Sequence, residues 1–184
     1  MESQDLASLI QRRRSSLLID ANSSISHDDI VALATAAQWA PNHKRTWPLR
    51  LCAVTGEARR QLGEVIATVM QQRGDDAHKV EKTRTKYMRS PLVMVVASSQ
   101  GNSETETLEN SYAVAAGIQN LLLLADSMGF AALWSSPAKG ANDAITNFCG
   151  MSPTDSVMGL IYLGTPTQSV AEVSRPPVHL TFRS

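Results

Sequence analysis

Apolar positions along the chain follow two spacings, and the change from one to the other marks the elements. From Asp5 to Arg14, Leu6, Leu9 and Ile10 fall at helical spacing, and three arginines close the segment where they suit the negative end of a helix dipole. In SISHDDIVALATAAQWAP, Ser26 followed by Asp28 and Asp29 reads as an N-cap with acids in the first turn. Ile30, Leu33, Ala34 and Ala37 then form an inward stripe until Pro41 stops the helix, which delivers Trp39 and His43 to its C-terminal end. LRLCAVTG predicts a strand, and GEARRQLGEVIATVMQQRG a helix with Leu62, Val65, Ile66 and Val69 toward the core. DDAHKVEKTRTKYMRS predicts a more polar helix. SPLVMVVASS has no alternation at all, and its continuous β-branched run behind Pro91 predicts a strand covered on both faces.

Residues 110–129 carry the strongest helical pattern. Val114, Ile118, Leu121, Leu122 and Ala125 form one stripe, while Ala113, Ala116, Gly117 and Asn120 form a small-residue face on which another backbone can lie closely. Gly129 caps this helix, FAALWSSP follows as a short strand ending in a Ser-Ser pair, ANDAITNFCGMSP as a short helix, and DSVMGLIYLGTP as a second wholly apolar strand. The tail is polar with an extended apolar end. About five helices and four or five strands in mixed order, with no regular βαβ series and no glycine-rich phosphate loop, exclude Rossmann and P-loop readings. The expectation is an α+β protein, a buried sheet with helices on both faces.

Composition narrows the chemistry. Seventeen Asp and Glu balance seventeen Lys and Arg, so no overall field attracts nucleic acid or a membrane, and any anion must be bound by local clusters. Cys52 and Cys149 have no zinc-ligand spacing and suggest no disulfide framework, which fits a reducing cytoplasm; no metal site is expected. The N-terminus does not read as a secretory signal, and no apolar run is long enough to span a bilayer.

Three segments could carry function. Arg12, Arg13 and Arg14, followed by Ser15 and Ser16, form either a solvated helix end or a phosphate site, because guanidinium forks match phosphate oxygens. His43, Lys44 and Arg45 between Trp39 and Trp47 form either an ordinary exposed loop or a cationic, apolar-walled seat for a flat heteroaromatic ring. Trp134, Ser135 and Ser136 end an apolar strand, where α/β layers often place ligand loops; a core tryptophan before a turn is the alternative. No hydrolytic triad or carboxylate pair stands out.

Taken together the segments resemble the nitroreductase family. The motifs are the arginines 12–14, the Ala40-Pro41-Asn42-His43-Lys44 stretch, Gly129-Phe130 leading to Trp134-Ser135-Ser136, and Tyr162-Leu163-Gly164-Thr165-Pro166. The resemblance spans nearly the whole chain. It implies one nitroreductase-like FMN-binding domain over residues 1–184, with a three-layer α-β-α fold, a mostly antiparallel central sheet and an entwined homodimer. It implies FMN as cofactor, NAD(P)H as co-substrate, and a nitroaromatic or quinone-like acceptor. By position, Arg12, Arg13 and Arg14 would contact the FMN phosphate and ribityl chain. His43 would contact the flavin, Trp39 would reach the flavin held mainly by the other subunit, and Trp134, Ser135 and Ser136 would line the same cofactor. Leu124, Ala125, Asp126, Ser127, Met128 and Gly129 match a segment associated with the nicotinamide nucleotide. No side chain is assigned as catalytic, because flavin N5 itself accepts the hydride. The small-residue face from Ala113 to Asn120 is expected to be the dimer seam. A flavin carrier or sensor without turnover is the alternative function, and a nucleic-acid patch the weakest reading.

Overall fold

A computed structural model describes residues 3–171 and 173–183. Its centre is a sheet of four antiparallel strands, β1 (Leu49–Thr55), β2 (Leu92–Ser98), β3 (Ala131–Ser135) and β4 (Ser156–Gly164), in the order β1-β2-β4-β3. Six α-helices surround it among the described residues: α1 (Ser3–Arg12), α2 (His27–Gln38), α3 (Ala58–Gln72), α4 (Ala77–Lys86), α5 (Glu104–Ser127) and α6 (Asn142–Phe148). That is one more than the expected count, although every helix lies in a segment whose pattern predicted one.

The unbroken apolar run of β2 is explained by its two neighbourhoods. Val93 and Val95 join Leu160 and Tyr162 in a cluster with Leu62, Ile66, Val80 and Ile145 of α3, α4 and α6. Leu92, Met94 and Val96 point the other way, with Ile161 and Leu163, into a cluster with Leu33 of α2 and Val114, Ile118 and Leu121 of α5. Both faces are therefore dry, and period-two alternation is lost because neither side of the strand meets water. The result is the expected α+β arrangement of three layers.

Helix α5 begins six residues before the predicted start. Ser103 caps it, its hydroxyl accepting from Glu106 N at 3.1 Å, while the Glu106 carboxylate accepts from Asn102 N at 2.6 Å. This box stabilises a first turn that has no apolar stripe to announce it. The small-residue face is not the dimer seam that the spacing suggested, for α2 of the same chain occupies it. A Cβ on Gly117 would lie 2.5 Å from Ala37 O, and Asn120 Nδ2 donates to Ala36 O at 3.3 Å. In α1 only Leu9 is buried, whereas Leu6 and Ile10 face outward. No helix among the described residues is long and apolar enough to cross a membrane.

Tyr87 and Tyr162 stack under the sheet with ring centroids 5.9 Å apart and planes within 4° of parallel. Burial pushes the Tyr87 phenol far above its ordinary value and that of Tyr162 to about 12. An unfolded tyrosine ionises near pH ~10, so above that pH the unfolded chain sheds protons that the folded chain retains. Stability is therefore expected to be full below about pH 10 and to fall as pH rises toward 12. Thermal melts across this range check it; Tyr162→Phe should flatten the fall, and an equal slope in that variant would remove the explanation.

Candidate functional site

The arginine segment leaves α1 and runs beside the free edge of β3. Ser16 N donates to Ala132 O at 2.9 Å, and Ser15 forms a parallel bridge with Ala132. This places Arg12 and Arg14 at the mouth of a cleft of about 510 Å³ on one side, bounded by Asp126, Gly129, Phe130 and the chain from Pro166 to Val170. A second, larger cleft of about 930 Å³ is lined by Arg12, Arg13 and Arg14 and reaches Gln119, Val173 and Arg175.

The three arginines are not equivalent. Arg12 Nε is paired with Asp126 at 3.1 Å in an exposed contact, which orients its head and offsets its charge. Arg14 Nη1 donates to the carbonyl oxygens of Gln11 and Arg13, holding the chain as it leaves the helix. Arg14 Nε and Arg13 Nη1, however, are buried and have no hydrogen-bond partner. A buried guanidinium N–H without an acceptor is costly. The two atoms belong to consecutive residues immediately after the C-terminal end of α1.

Trp134, Ser135 and Ser136 stand on the same edge of the sheet. The indole lies across Gly159, where a Cβ would approach Nε1 to 2.0 Å, and Nε1 donates to Met158 O at 3.1 Å. The ring is held flat against the strand with 39% of the residue exposed, so Trp134 is neither a core tryptophan nor a free one. Ser135 is half-buried and Ser136 exposed. In the 124–129 segment, Ala125 is fully buried and Leu124 and Met128 pack on the α5 core, so these side chains are turned largely away from the cleft. Asp126 and Gly129 line it, and Ser127 is exposed with its hydroxyl donating to Leu124 O at 2.8 Å.

Trp39 and His43 are not part of this assembly within one chain. The bend that carries them is tied to the opposite end of α5: Thr46 Oγ1 donates to Asn110 Oδ1 at 2.6 Å, Asn42 Nδ2 to Thr46 Oγ1 at 3.0 Å, and Asn110 Nδ2 to Ser99 O at 3.2 Å. Asn110 and Asp126 are ~24 Å apart along the helix at ~1.5 Å per residue. The bend is also strained. Lys44, Arg45 and Trp47 all have positive φ (57°, 54° and 50°), which non-glycine residues adopt rarely, and the buried Asn110 network is what holds them there. Trp39 is 82% exposed and His43, Lys44 and Arg45 all face solvent. The Asn102 backbone N–H, helped by the nearby Lys44 and His43 charges, holds the Glu106 carboxyl below the usual range, so a negative charge stands under the cationic bend. Asn110→Ala should release the bend and lower stability by about 1–3 kcal/mol, the cost of leaving buried polar partners unmet; a melting temperature equal to that of the unaltered protein would show that the network carries no strain.

The tail residues of the clefts had no signal in the sequence. Residues 167–170 and Arg175 come to the arginines only through the path of the tail, which no local spacing encodes.

A four-stranded antiparallel sheet with helices on both faces defines this as an α+β protein, with its arginine segment beside the edge strand β3. Residues 10–165 match the Nitroreductase family, and the chain belongs to it. It is 27% identical over 159 residues to "Putative NAD(P)H nitroreductase YdjA" of Escherichia coli K12, covering 86% of each chain. Its backbone superposes on the nitroreductase-like family protein of Bacillus cereus with a TM-score of 0.82 at 23% identity, covering 96% of this chain and 94% of that one. It also superposes on an FMN-bound nitroreductase of Bacteroides fragilis with a TM-score of 0.80 at 22% identity, covering 98% and 99%. These likenesses support the fold.

Proposed function

We propose that the protein is an FMN-dependent oxidoreductase, a homodimer that uses NAD(P)H to reduce nitroaromatic or quinone-like acceptors. The observation that carries this reading is the pair of buried, unpartnered guanidinium donors on Arg13 and Arg14, set beside the β3 edge. FMN has a dianionic phosphate to meet them, a polar chain for serine hydroxyls and a flat tricycle for an indole wall, so the residues fit the group. When bound, FMN supplies hydride acceptance at N5.

The chain's own residues then divide the work. Arg13 and Arg14 hold the phosphate, with Arg12 steadied at its side by Asp126; Trp134, Ser135 and Ser136 line the cofactor along the strand. The ~24 Å between the two halves of the predicted site means that one copy cannot present both to a single flavin. The strained bend with Trp39 and His43 therefore serves the partner copy's cofactor. Exposed Leu6 and Ile10, and the alternating exposed Val178, Leu180 and Phe182 of the extended tail, offer the apolar surface that a second copy would cover. Of the 124–129 segment, Asp126, Ser127 and Gly129 remain accessible to a nicotinamide nucleotide.

The test is an absorption spectrum of the purified protein before and after each nicotinamide nucleotide under exclusion of air, with light scattering alongside. A yellow dimer bleached by NADH or NADPH, and recoloured by a nitroaromatic or quinone, supports the enzyme. Yellow protein that neither nucleotide bleaches makes it a carrier or sensor, and a colourless monomer that takes up no FMN ends the proposal.

A further inference from the structure

The larger cleft carries more positive charge than one cofactor phosphate uses. Arg12, Arg13, Arg14 and Arg175 all line it, and its lining includes no Asp or Glu among the described residues. The smaller cleft differs, for there Asp126 stands beside Arg12 and Arg14. In the function proposed above, the FMN phosphate takes the two buried, unpartnered donors on Arg13 and Arg14, while Asp126 engages Arg12. A phosphate monoester carries about two negative charges near neutrality, so those guanidinium groups balance it. Arg175 is left over. It is exposed, and its side chain has no hydrogen bond or ion pair among the described residues.

Backbone stiffness, not side-chain contact, brings Arg175 to the cleft. Pro176 and Pro177 follow it directly. A residue before proline is confined to extended conformations, and each proline ring fixes its own φ. At about 930 Å³ the cleft is at the upper end of the range for small-ligand sites, with room for more than a phosphate. It shares Arg12 and Arg14 with the smaller cleft, which Asp126 and Gly129 of the 124–129 segment line. A dinucleotide whose nicotinamide half lies by that segment therefore has its adenosine half on the side of Arg175.

We propose that Arg175 binds the 2′-phosphate of NADPH and makes this chain prefer NADPH to NADH. The inference rests on the function proposed above and names its electron donor. The two nucleotides differ only at the adenosine 2′ position, a hydroxyl in one and a phosphate in the other, so discrimination needs a cation that nothing else in the ligand set occupies. A guanidinium fork meets phosphate oxygens bidentately and has no such match in a hydroxyl. Gln119 and Ser174 add neutral donors on the same cleft wall. Arg175 selects the donor and takes no part in hydride transfer.

The experiment titrates the yellow full-length protein with adenosine 2′,5′-bisphosphate, adenosine 5′-monophosphate and inorganic phosphate by calorimetry, and measures kcat/KM for NADPH and NADH at one ionic strength. The bisphosphate is expected to bind at least about tenfold more tightly than the monophosphate, with NADPH preferred to NADH by a similar factor. Arg175→Ala should bring both ratios to within about threefold of unity while the Kd for FMN moves by less than about twofold, and Arg175→Lys should keep part of the preference. Equal binding of the two adenosine nucleotides, or ratios that Arg175→Ala leaves in place, overturns the inference. So does inorganic phosphate binding as tightly as the bisphosphate, which marks a site for any anion. A rise of about tenfold in the Kd for FMN in Arg175→Ala returns this arginine to the flavin phosphate and overturns it too. Each of these outcomes leaves the flavin enzyme standing, whereas protein that takes up no FMN removes that reading and the inference with it.

Discussion

Alanine at both Arg13 and Arg14 is expected to raise the Kd for FMN by about 10²–10⁴-fold. Each guanidinium offers a charge-assisted hydrogen bond worth about 1.5–3 kcal/mol, and together they account for roughly 3–5 kcal/mol of affinity. The expectation follows from atoms that have nothing else to do: Arg13 Nη1 and Arg14 Nε are buried without an acceptor. Arg12→Ala should weaken binding by less than about fivefold, because its Nε is committed to Asp126 in an exposed pair of the kind that contributes ~0–1 kcal/mol. Titration of the apoprotein with FMN, followed by flavin fluorescence, measures all three variants. An unchanged Kd in the double variant would remove the phosphate assignment, and a large loss for Arg12→Ala alone would shift the cradle by one residue. Arg14 also anchors the Gln11 and Arg13 carbonyls, so the apoprotein's melting temperature should be recorded beside each titration.

Valine at Gly117 is expected to lower stability by about 3 kcal/mol, or about 6–12 °C in melting temperature. Any Cβ there meets the Ala37 carbonyl oxygen at 2.5 Å and its carbon at 3.3 Å, and these are backbone atoms that cannot rotate aside. Helix α2 must therefore move off α5. Because α2 ends at Trp39 and leads into the strained bend, the displacement should also loosen that segment; hydrogen exchange of residues 39–47 would report it. Gln119→Val, two positions along α5 and exposed, should cost only the ~0.5 kcal/mol of helix propensity. Equal melting temperatures for the two variants would show that the close approach of the helices is not what sets their packing.

How far the fold was legible depends on whether a signal was local. The buried β2 run, the α2 stripe stopped before Pro41, and the β4 strand closed by Gly164 were all readable, because burial on one or both sides leaves its period in the residues themselves. The first turn of α5 was not read, since Ser103 and Glu106 stabilise it through capping while the apolar stripe starts later. The small-residue face was read correctly as a close-approach surface and assigned to the wrong neighbour. A stripe of Ala and Gly states that a backbone lies near, not whose backbone it is, and here it belongs to α2.

The site divides in the same way. The residue types that can hold a flavin phosphate and a flat ring, arginine triplet, serines and indoles, were visible as a set with recognisable order. Which guanidinium atoms lack partners, and that the Trp39–His43 bend lies at the opposite end of α5 from the arginines, follow from the packing of distant segments. Hydrophobic period, caps and turn residues act over a few neighbours and survive in one dimension. Strand order, helix docking and the pairing of side chains far apart in the chain arise only when the layers close on the sheet, so which donors are left unsatisfied, and what could satisfy them, belongs to three dimensions alone.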